Sequence, residues 1–302
     1  MRELYAVVHS ILLLGASFVL SSPGGSAATL AGVLPDEIDR HYAGGVELGW
    51  LERGGGRLEL QRTRELLVRF LAPAPARVLD VGGGPGVYAG WLAEQGYEVS
   101  LVDAMPLHVE QARELGMFAA RGGDARSLDE TDESFDAVLL LGLLYHLTER
   151  RDRLLALREA RRVLCGGGIV AAGAISRFAS VIDGLVLSWL GDPRFRAIVE
   201  GDLATGQHRN PGDEPGWFTT AFFHHPDELA AEVREAGLEL DVLLAVEGIA
   251  WLLNDLDERI DDPDRREQLL WAISALEGEP ALLGATAHLL AIGRRADAAE
   301  RR

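Results

Sequence analysis

Residues 78–86 read VLDVGGGPG, an apolar run ending in Asp80 and Val81 followed by four glycines in the five positions from Gly82 to Gly86. Glycine loses more conformational freedom on folding than any other residue, so a cluster of it serves geometry. Either the backbone turns sharply there, or something comes very close to it. The flanks narrow the choice of fold. ARVLDV (76–81) is short and apolar, as a parallel strand buried on both faces is. GVYAGWLAEQG (86–96) reads as a helix with Gly96 as its stop. The unit is strand, glycine loop, helix.

The alternation continues downstream. YEVSLVD (97–103) is a second strand, and PLHVEQARELG (106–116) a helix opened by Pro106 and closed by Gly116. MFAARGGD gives a strand and turn, and FDAVLLLGLLYHL a strong apolar strand running into a loop or helix start. RRDRLLALREARRVLCGGG reads as a helix closed by three glycines, and GIVAAGAIS as the next strand. Upstream, Leu58, Leu60, Leu66, Leu67, Phe70 and Leu71 pattern an amphipathic helix that Pro73 and Pro75 stop. This repetition predicts an α/β fold, a mostly parallel sheet with helices on both faces. The rhythm breaks between Arg177 and His225, where VIDGLVLSWL leads into the turn-rich TGQHRNPGDEPGWFTT. That stretch reads as an insertion packed over one end of the sheet. The α/β pattern resumes with PDELAAEVREAGLELDVLLAVEG and ends in ATAHLLAIGRR as a last strand.

Composition excludes several partners. The formal net charge is −18 over 302 residues, and basic residues cluster only in short pairs such as Arg161-Arg162 and Arg265-Arg266. Nucleic-acid backbones and anionic membrane surfaces both call for concentrated Lys and Arg, so neither partner is expected. Cys165 is the only cysteine. It can form no intramolecular disulfide and no zinc site alone, and reads as a small buried hydrophobe. There is no H-E-x-x-H and no dense carboxylate–histidine cluster in the sequence, so no metal is expected. Tyr5 to Leu20 carries no charge and SSPGGSAAT follows, which looks like a secretory signal with cleavage near Ala28. Its MRE start is only weakly positive, and the run is short of the roughly 20 residues a membrane span needs.

The glycine spacing discriminates between nucleotide-cofactor loops. A dinucleotide fingerprint, G-x-G-x-x-G, would put its third glycine where Val87 stands. The observed spacing is Gly82, Gly84, Gly86, preceded by Asp80. This G-x-G-x-G loop resembles motif I of the class I S-adenosylmethionine-dependent methyltransferases, of the type 11/12 kind that act on small molecules. The second strand ends in Asp103, an acid that can accept from both ribose hydroxyls, as dinucleotide enzymes also have it. GGDARSL places Asp124 where that family has the acid for the adenine amino group. RRVLCGGGIV resembles the family's R-x-L-K-P-G-G stretch, with Cys165-Gly166 for Lys-Pro. The last strand, Ala285 to Gly293, fits the family's added antiparallel strand beside the fifth.

The resemblance implies a Rossmann-like class I methyltransferase fold with a seven-stranded sheet and an inserted lid. It divides the chain into a leader (1–30), an N-terminal helical cap (31–76), a cofactor-binding core (77–176), a lid (177–225), the C-terminal part of the core (226–296) and a polar tail (297–302). It implies S-adenosyl-L-methionine as cofactor. Gly82, Gly84 and Gly86 would let the backbone approach its methionine part, and Asp80 would help bind the amino group. Asp103 would hold the ribose, Met105 would pack on the adenine, and Asp124 with Ala125 would complete the adenine site. The plainer readings are a core-filling Met105, a turn-capping Asp124 and a loop-capping Asp80.

Methyl transfer from a sulfonium asks the protein mainly to position the nucleophile, and an oxygen nucleophile also calls for a base such as histidine. His146, in LLYHL just past the fourth strand, is one candidate catalytic residue, and His225, before the helix that Pro226 opens, is another. His224 reads as part of that helix's N-terminal cap. His208 and Arg209 either face substrate or are solvated, and Tyr42 either closes over the cofactor or packs. Trp189, Trp217, Phe218, Phe222 and Phe223 would wall an apolar cavity or build a core. The expected function is methyl transfer to O or N of a small-molecule acceptor. An NAD-dependent oxidoreductase and a non-catalytic cofactor-binding relative are the alternatives. Because the cofactor is cytosolic, the expected location is the cytoplasm, with the leader an artefact or a membrane-proximal anchor.

Overall fold

The computed structural model describes residue 51 and residues 54–297. The leader, Tyr42 and the end of the tail lie outside the described residues. The element order is α1 (Gly54–Phe70), β1 (Arg77–Val81), α2 (Val87–Glu94), β2 (Glu98–Asp103), α3 (Pro106–Glu114), β3 (Ala119–Gly122), β4 (Phe135–Leu140), α4 (Arg150–Val163) and β5 (Leu164–Ile175). Then come α5 (Ala179–Val186), α6 (Pro193–Thr205), β6 (Gln207–His208), β7 (Ala221–Phe222), α7 (Pro226–Glu235), β8 (Glu239–Ala245), α8 (Leu256–Asp261), α9 (Pro263–Leu276) and β9 (His288–Arg294).

Seven strands form one sheet in the order β3-β2-β1-β4-β5-β9-β8. Strands β1 to β5 pair in parallel, and β9 runs antiparallel to both β5 and β8. Side-chain alternation divides the core between the two faces. Leu79, Val138, Leu140, Val170, Ala172, Leu289 and Ala291 join one buried cluster with Leu157 and Ala160 of α4 and Leu229 and Val233 of α7. Their sequence neighbours Val78, Ala137, Leu139, Ala171, Leu290 and Ile292 join the other, with Leu66 and Leu67 of α1, Leu92 of α2 and Ala112 of α3. A strand apolar at every position is what a sheet covered on both faces requires.

The direction in which strands are added to the sheet reverses between β1 and β4. From β1 the chain steps outward to β2 and β3, and from β4 outward the other way. Ligands of open α/β sheets bind outside the carboxyl ends of the strands at such a switch point. Because β9 is antiparallel, its first residue, His288, pairs with Ile175 at the end of β5. His288 therefore stands on the same edge as the glycine loop.

Three local expectations are corrected. Gly166, Gly167 and Gly168 do not close α4; they lie inside β5, where its register with β4 shifts between Phe135 and Ala137. The last strand starts at His288, after a 3-10 turn at Leu283–Ala285. Cys165 is half-buried rather than a core hydrophobe, and its thiol donates to the Glu133 carbonyl at 3.1 Å. The stretch between β5 and α7 folds as α5, α6 and the β6–β7 hairpin. Asp192 caps α6 by accepting from the Arg194 N–H, and Pro193 opens its first turn.

Candidate active site

The glycine loop leaves β1 and turns over the β1–β4 switch point. Gly82, Gly84 and Gly86 have φ of +70°, +57° and +90°, a region that costs an L-residue with a Cβ about 1–2 kcal/mol. A Cβ on Gly86 would also meet Phe118 Cζ at 2.8 Å. The loop is tied down from β2. Gly82 N–H donates to the Val102 carbonyl at 2.7 Å. Buried Asp103 accepts from Gly84 N–H at 2.9 Å through one carboxylate oxygen and from Met105 N–H at 2.8 Å through the other. His108 stands 3.4 Å from the second oxygen. Each carboxylate oxygen has capacity for another donor. A small cleft opens here, lined by Val81, Gly82, Val102, Ala104, Asp124 and Ala125 with Leu143 and Leu147 from beyond β4. Met105 is buried at the start of α3.

Asp124 also borders this cleft, but it is not a bare acid. Its carboxylate accepts from Arg126 Nε at 3.0 Å and Nη2 at 2.8 Å, and Arg126 bridges on to Asp152. Burial would raise the Asp124 pKa, but the Arg126 hydrogen bonds hold it below its usual value. Asp80 is buried at the end of β1 and packs under Gly83.

The histidines separate into different jobs. His146 is buried in a 3-10 turn after β4, with Tyr145 edge-on at 4.5 Å and Phe218 stacked at 6.2 Å. His225 is the N-cap of α7. Its Nδ1 accepts from Asp227 N–H at 3.3 Å, and Glu228 accepts from its backbone N–H in return. That geometry gives His225 a capping job, and it corrects the assignment of the cap to His224. His224 is fully buried and hydrogen-bonds Glu232 at 3.3 Å. His208 is buried between Asp202 and the Trp217 carbonyl, so it does not face solvent, and Arg209 donates to Gln207. The aromatics likewise build the insertion's own core. Phe195 packs between Trp189 and Trp217, Phe223 stacks on His208, and Phe222 lies 3.6 Å from the Arg153 guanidinium.

Arg153 and Glu232 form a buried ion pair at 2.8 Å that clamps α4 to α7. Arg153 also donates to the carbonyls of Leu147 and Thr148, both at 2.9 Å, which supports the loop carrying His146. Burial would raise the Glu232 pKa, but His224 and Arg153 together bring it down to about 2. Burial pushes the His224 pKa below its ordinary value.

A further group sits along the same edge, and motif reading missed it. His288 Nδ1 lies 2.6 Å from Glu247 and 3.8 Å from Glu59 of α1. Buried Glu247 also accepts from the Thr286 hydroxyl at 2.9 Å and the His288 N–H at 3.0 Å. Burial would lower the His288 pKa, but Glu59, Glu247 and Asp183 of α5 outweigh it and push it up to about 10. Asp183 itself is raised to about 6 by burial. Tyr88, at the start of α2, hydrogen-bonds Thr63 and feels both Glu59 and Asp80, and burial drives its pKa up. Tyr88 therefore links Glu59 electrostatically to the first turn of α2, just after the glycine loop. The cluster's members come from positions 59, 183, 247 and 288, and no local spacing announces them.

A switch-point cleft under a glycine loop, with an acid at the tip of β2, defines a Rossmann-like methyltransferase architecture. The comparisons agree. A model of the methyltransferase domain matches residues 79–172. The ubiquinone biosynthesis O-methyltransferase of Azorhizobium caulinodans is 33% identical over 236 residues, covering 69% of this chain and 82% of that protein. A methyltransferase of Schizosaccharomyces pombe is 26% identical over 206 residues, covering 66% and 73%. In fold, the chain matches an S-adenosylmethionine-dependent methyltransferase from Mesorhizobium loti with TM-score 0.53 at 17% identity, covering 79% of this chain and 100% of that one. The chain belongs to the class I S-adenosylmethionine-dependent methyltransferases, and S-adenosylmethionine is its cofactor.

The residues present fit that cofactor. Gly82 lines the cleft without a Cβ, which would meet Leu143 at 3.1 Å, and Asp103 presents a buried carboxylate beside the loop. No helix among the described residues is long and apolar enough to cross a membrane.

Proposed function

We propose that this methyltransferase acts on an oxygen or nitrogen of a small-molecule acceptor, and that the glycine-loop cleft holds the cofactor. The observation that carries the reading is Asp103, buried at the strand tip and tied to the loop through Gly84 N–H. When bound, the cofactor supplies an activated methyl group on a sulfonium. The chain's own residues bind and orient. Asp103 accepts from the ribose hydroxyls. The backbone at Gly82, Gly84 and Gly86 makes room for the methionine part, and Asp80 sits below it toward the amino group. Met105 and Ala125 flank the adenine. Asp124, held by Arg126, offers its remaining acceptor capacity to the adenine amino group.

His146, Tyr145 and Phe218 form the wall that meets the acceptor, and His146 is the candidate proton acceptor there. His225 is left to its cap. The net charge of −18 supports a small metabolite over nucleic acid. The Azorhizobium relative's name, an O-methyltransferase, favours oxygen over nitrogen. The test is calorimetric binding of S-adenosylhomocysteine, with NAD in parallel, followed by transfer of a labelled methyl group to a panel of small phenols, acids and amines. Binding of S-adenosylhomocysteine alone, with label appearing in one acceptor class, is expected. A folded protein that binds NAD or neither ligand overturns the reading.

A further inference from the structure

The Glu59–Glu247–His288 cluster has no part in the cofactor cleft. Its three ligand atoms, one from each residue, lie within 4.8 Å of one another. They come from three directions, namely α1, the loop after β8 and the first residue of β9. Glu247 is buried and Glu59 and His288 are half-buried, so this is not a scatter of surface acids. Glu247 is prepared as a ligand. The Thr286 hydroxyl and the His288 backbone N–H both donate to Oε2, and Gly248 N–H in turn donates to Thr286. These contacts fix the carboxylate and turn Oε1 toward the imidazole, which is how second-layer hydrogen bonds orient metal-binding groups.

The charge balance points the same way. Asp183 faces His288 from α5, so three carboxylates surround one imidazole.

We propose that Glu59, Glu247 and His288 form a divalent-cation site. The imidazole would bind the ion in its neutral form through Nδ1, beside one carboxylate oxygen from each glutamate. One nitrogen and two carboxylate oxygens suit a borderline or hard ion, such as Mn²⁺ or Zn²⁺, rather than a thiophilic one. Three protein ligands leave coordination positions open, as sites that bind substrate do. Because His288 stands on the carboxyl edge of the sheet, as the glycine loop does, the group that would fill those positions is an acceptor oxygen. This last step rests on the methyltransferase reading above; the binding of the ion does not.

The test uses the full chain and the metal alone. Mn²⁺ and Zn²⁺ are titrated by calorimetry, and Co²⁺ is added as a spectroscopic probe. One equivalent of ion and visible Co²⁺ bands marking nitrogen–oxygen ligation are expected. Glu59→Gln, at a half-buried position where shape is kept, is expected to weaken binding at least about tenfold. His288→Ala is expected to remove the Co²⁺ bands. Absence of binding at millimolar ion, or binding indifferent to Glu59→Gln, overturns the proposal and leaves the cluster as a clamp between α1 and β9. S-adenosylhomocysteine binding, measured on the same samples, keeps failure of the metal site distinct from failure of the cofactor site.

Discussion

At the β1–β2 end of the catalytic edge the protein works with backbone. Gly82, Gly84 and Gly86 supply room, peptide N–H groups set the loop, and a single acid, Asp103, anchors it. At the β5–β9 end it works with side chains. Arg153, Glu232 and His224 lie fully buried there, and Glu247, His288 and Glu59 converge on one point. A cofactor shared across a family needs one shape, which backbone can hold. The β5–β9 end is built from charged groups whose cost of burial is met only when every partner is present.

The largest effect should come from breaking the charged end. Glu232→Gln keeps the shape but leaves Arg153 buried without a counter-charge. Urea melts should show a loss of about 3–5 kcal/mol. A loss under 1 kcal/mol would mean that backbone and apolar packing hold this end too.

Next is the glycine end. Gly86→Ala puts a Cβ at φ +90° and against Phe118. A stability loss of about 1–3 kcal/mol is expected, with weaker cofactor binding by the folded protein. A neutral substitution would show that the loop's backbone shape is not what the cleft depends on.

Acid sharpens the contrast further. Glu232 titrates in the fold at about 2 rather than in the usual range near 4.5, so its stabilisation is present above about 4.5 and is lost as pH falls toward about 2. His224 is also depressed, so its share begins to fall below its ordinary value of 6.5. Hydrogen exchange should therefore show α4 and α7 losing protection on acidification before β1 and β2 do. The reverse order would contradict the assignment of charge to that end.

The smallest effect is expected outside both. Arg57 pairs with Asp257 and Asp261, both well exposed, at 3.1 and 2.8 Å. Arg57→Ala should change stability by about 1 kcal/mol or less.

This contrast also governs what is legible in the residues. The sheet, the helix over Val87–Glu94, the acid at the tip of β2 and the added strand β9 can all be read, because each rests on a local pattern or a short spacing. Gly166 to Gly168 mislead, because a glycine run looks like a helix stop and only the register between β4 and β5 shows it as a strand irregularity. His225 is a related case. A histidine before Pro226 looks available for chemistry, yet its Nδ1 accepts from the Asp227 N–H in the first turn of α7. His288 and Glu247 are illegible because their partners lie far apart in the chain, and only the antiparallel return of β9 carries His288 to the edge.

The most direct measurement is calorimetric titration of S-adenosylhomocysteine into wild type, Asp103→Ala and His288→Ala, with each fold checked by circular dichroism. Asp103→Ala removes charge-assisted hydrogen bonds and the loop anchor, so affinity should fall by about 100-fold or more. His288→Ala leaves Asp103 and the loop's own hydrogen bonds in place, so it should bind within about threefold of wild type. Equal losses in the two variants, or retention of affinity by a folded Asp103→Ala, would contradict a cofactor end built on the loop and its single acid.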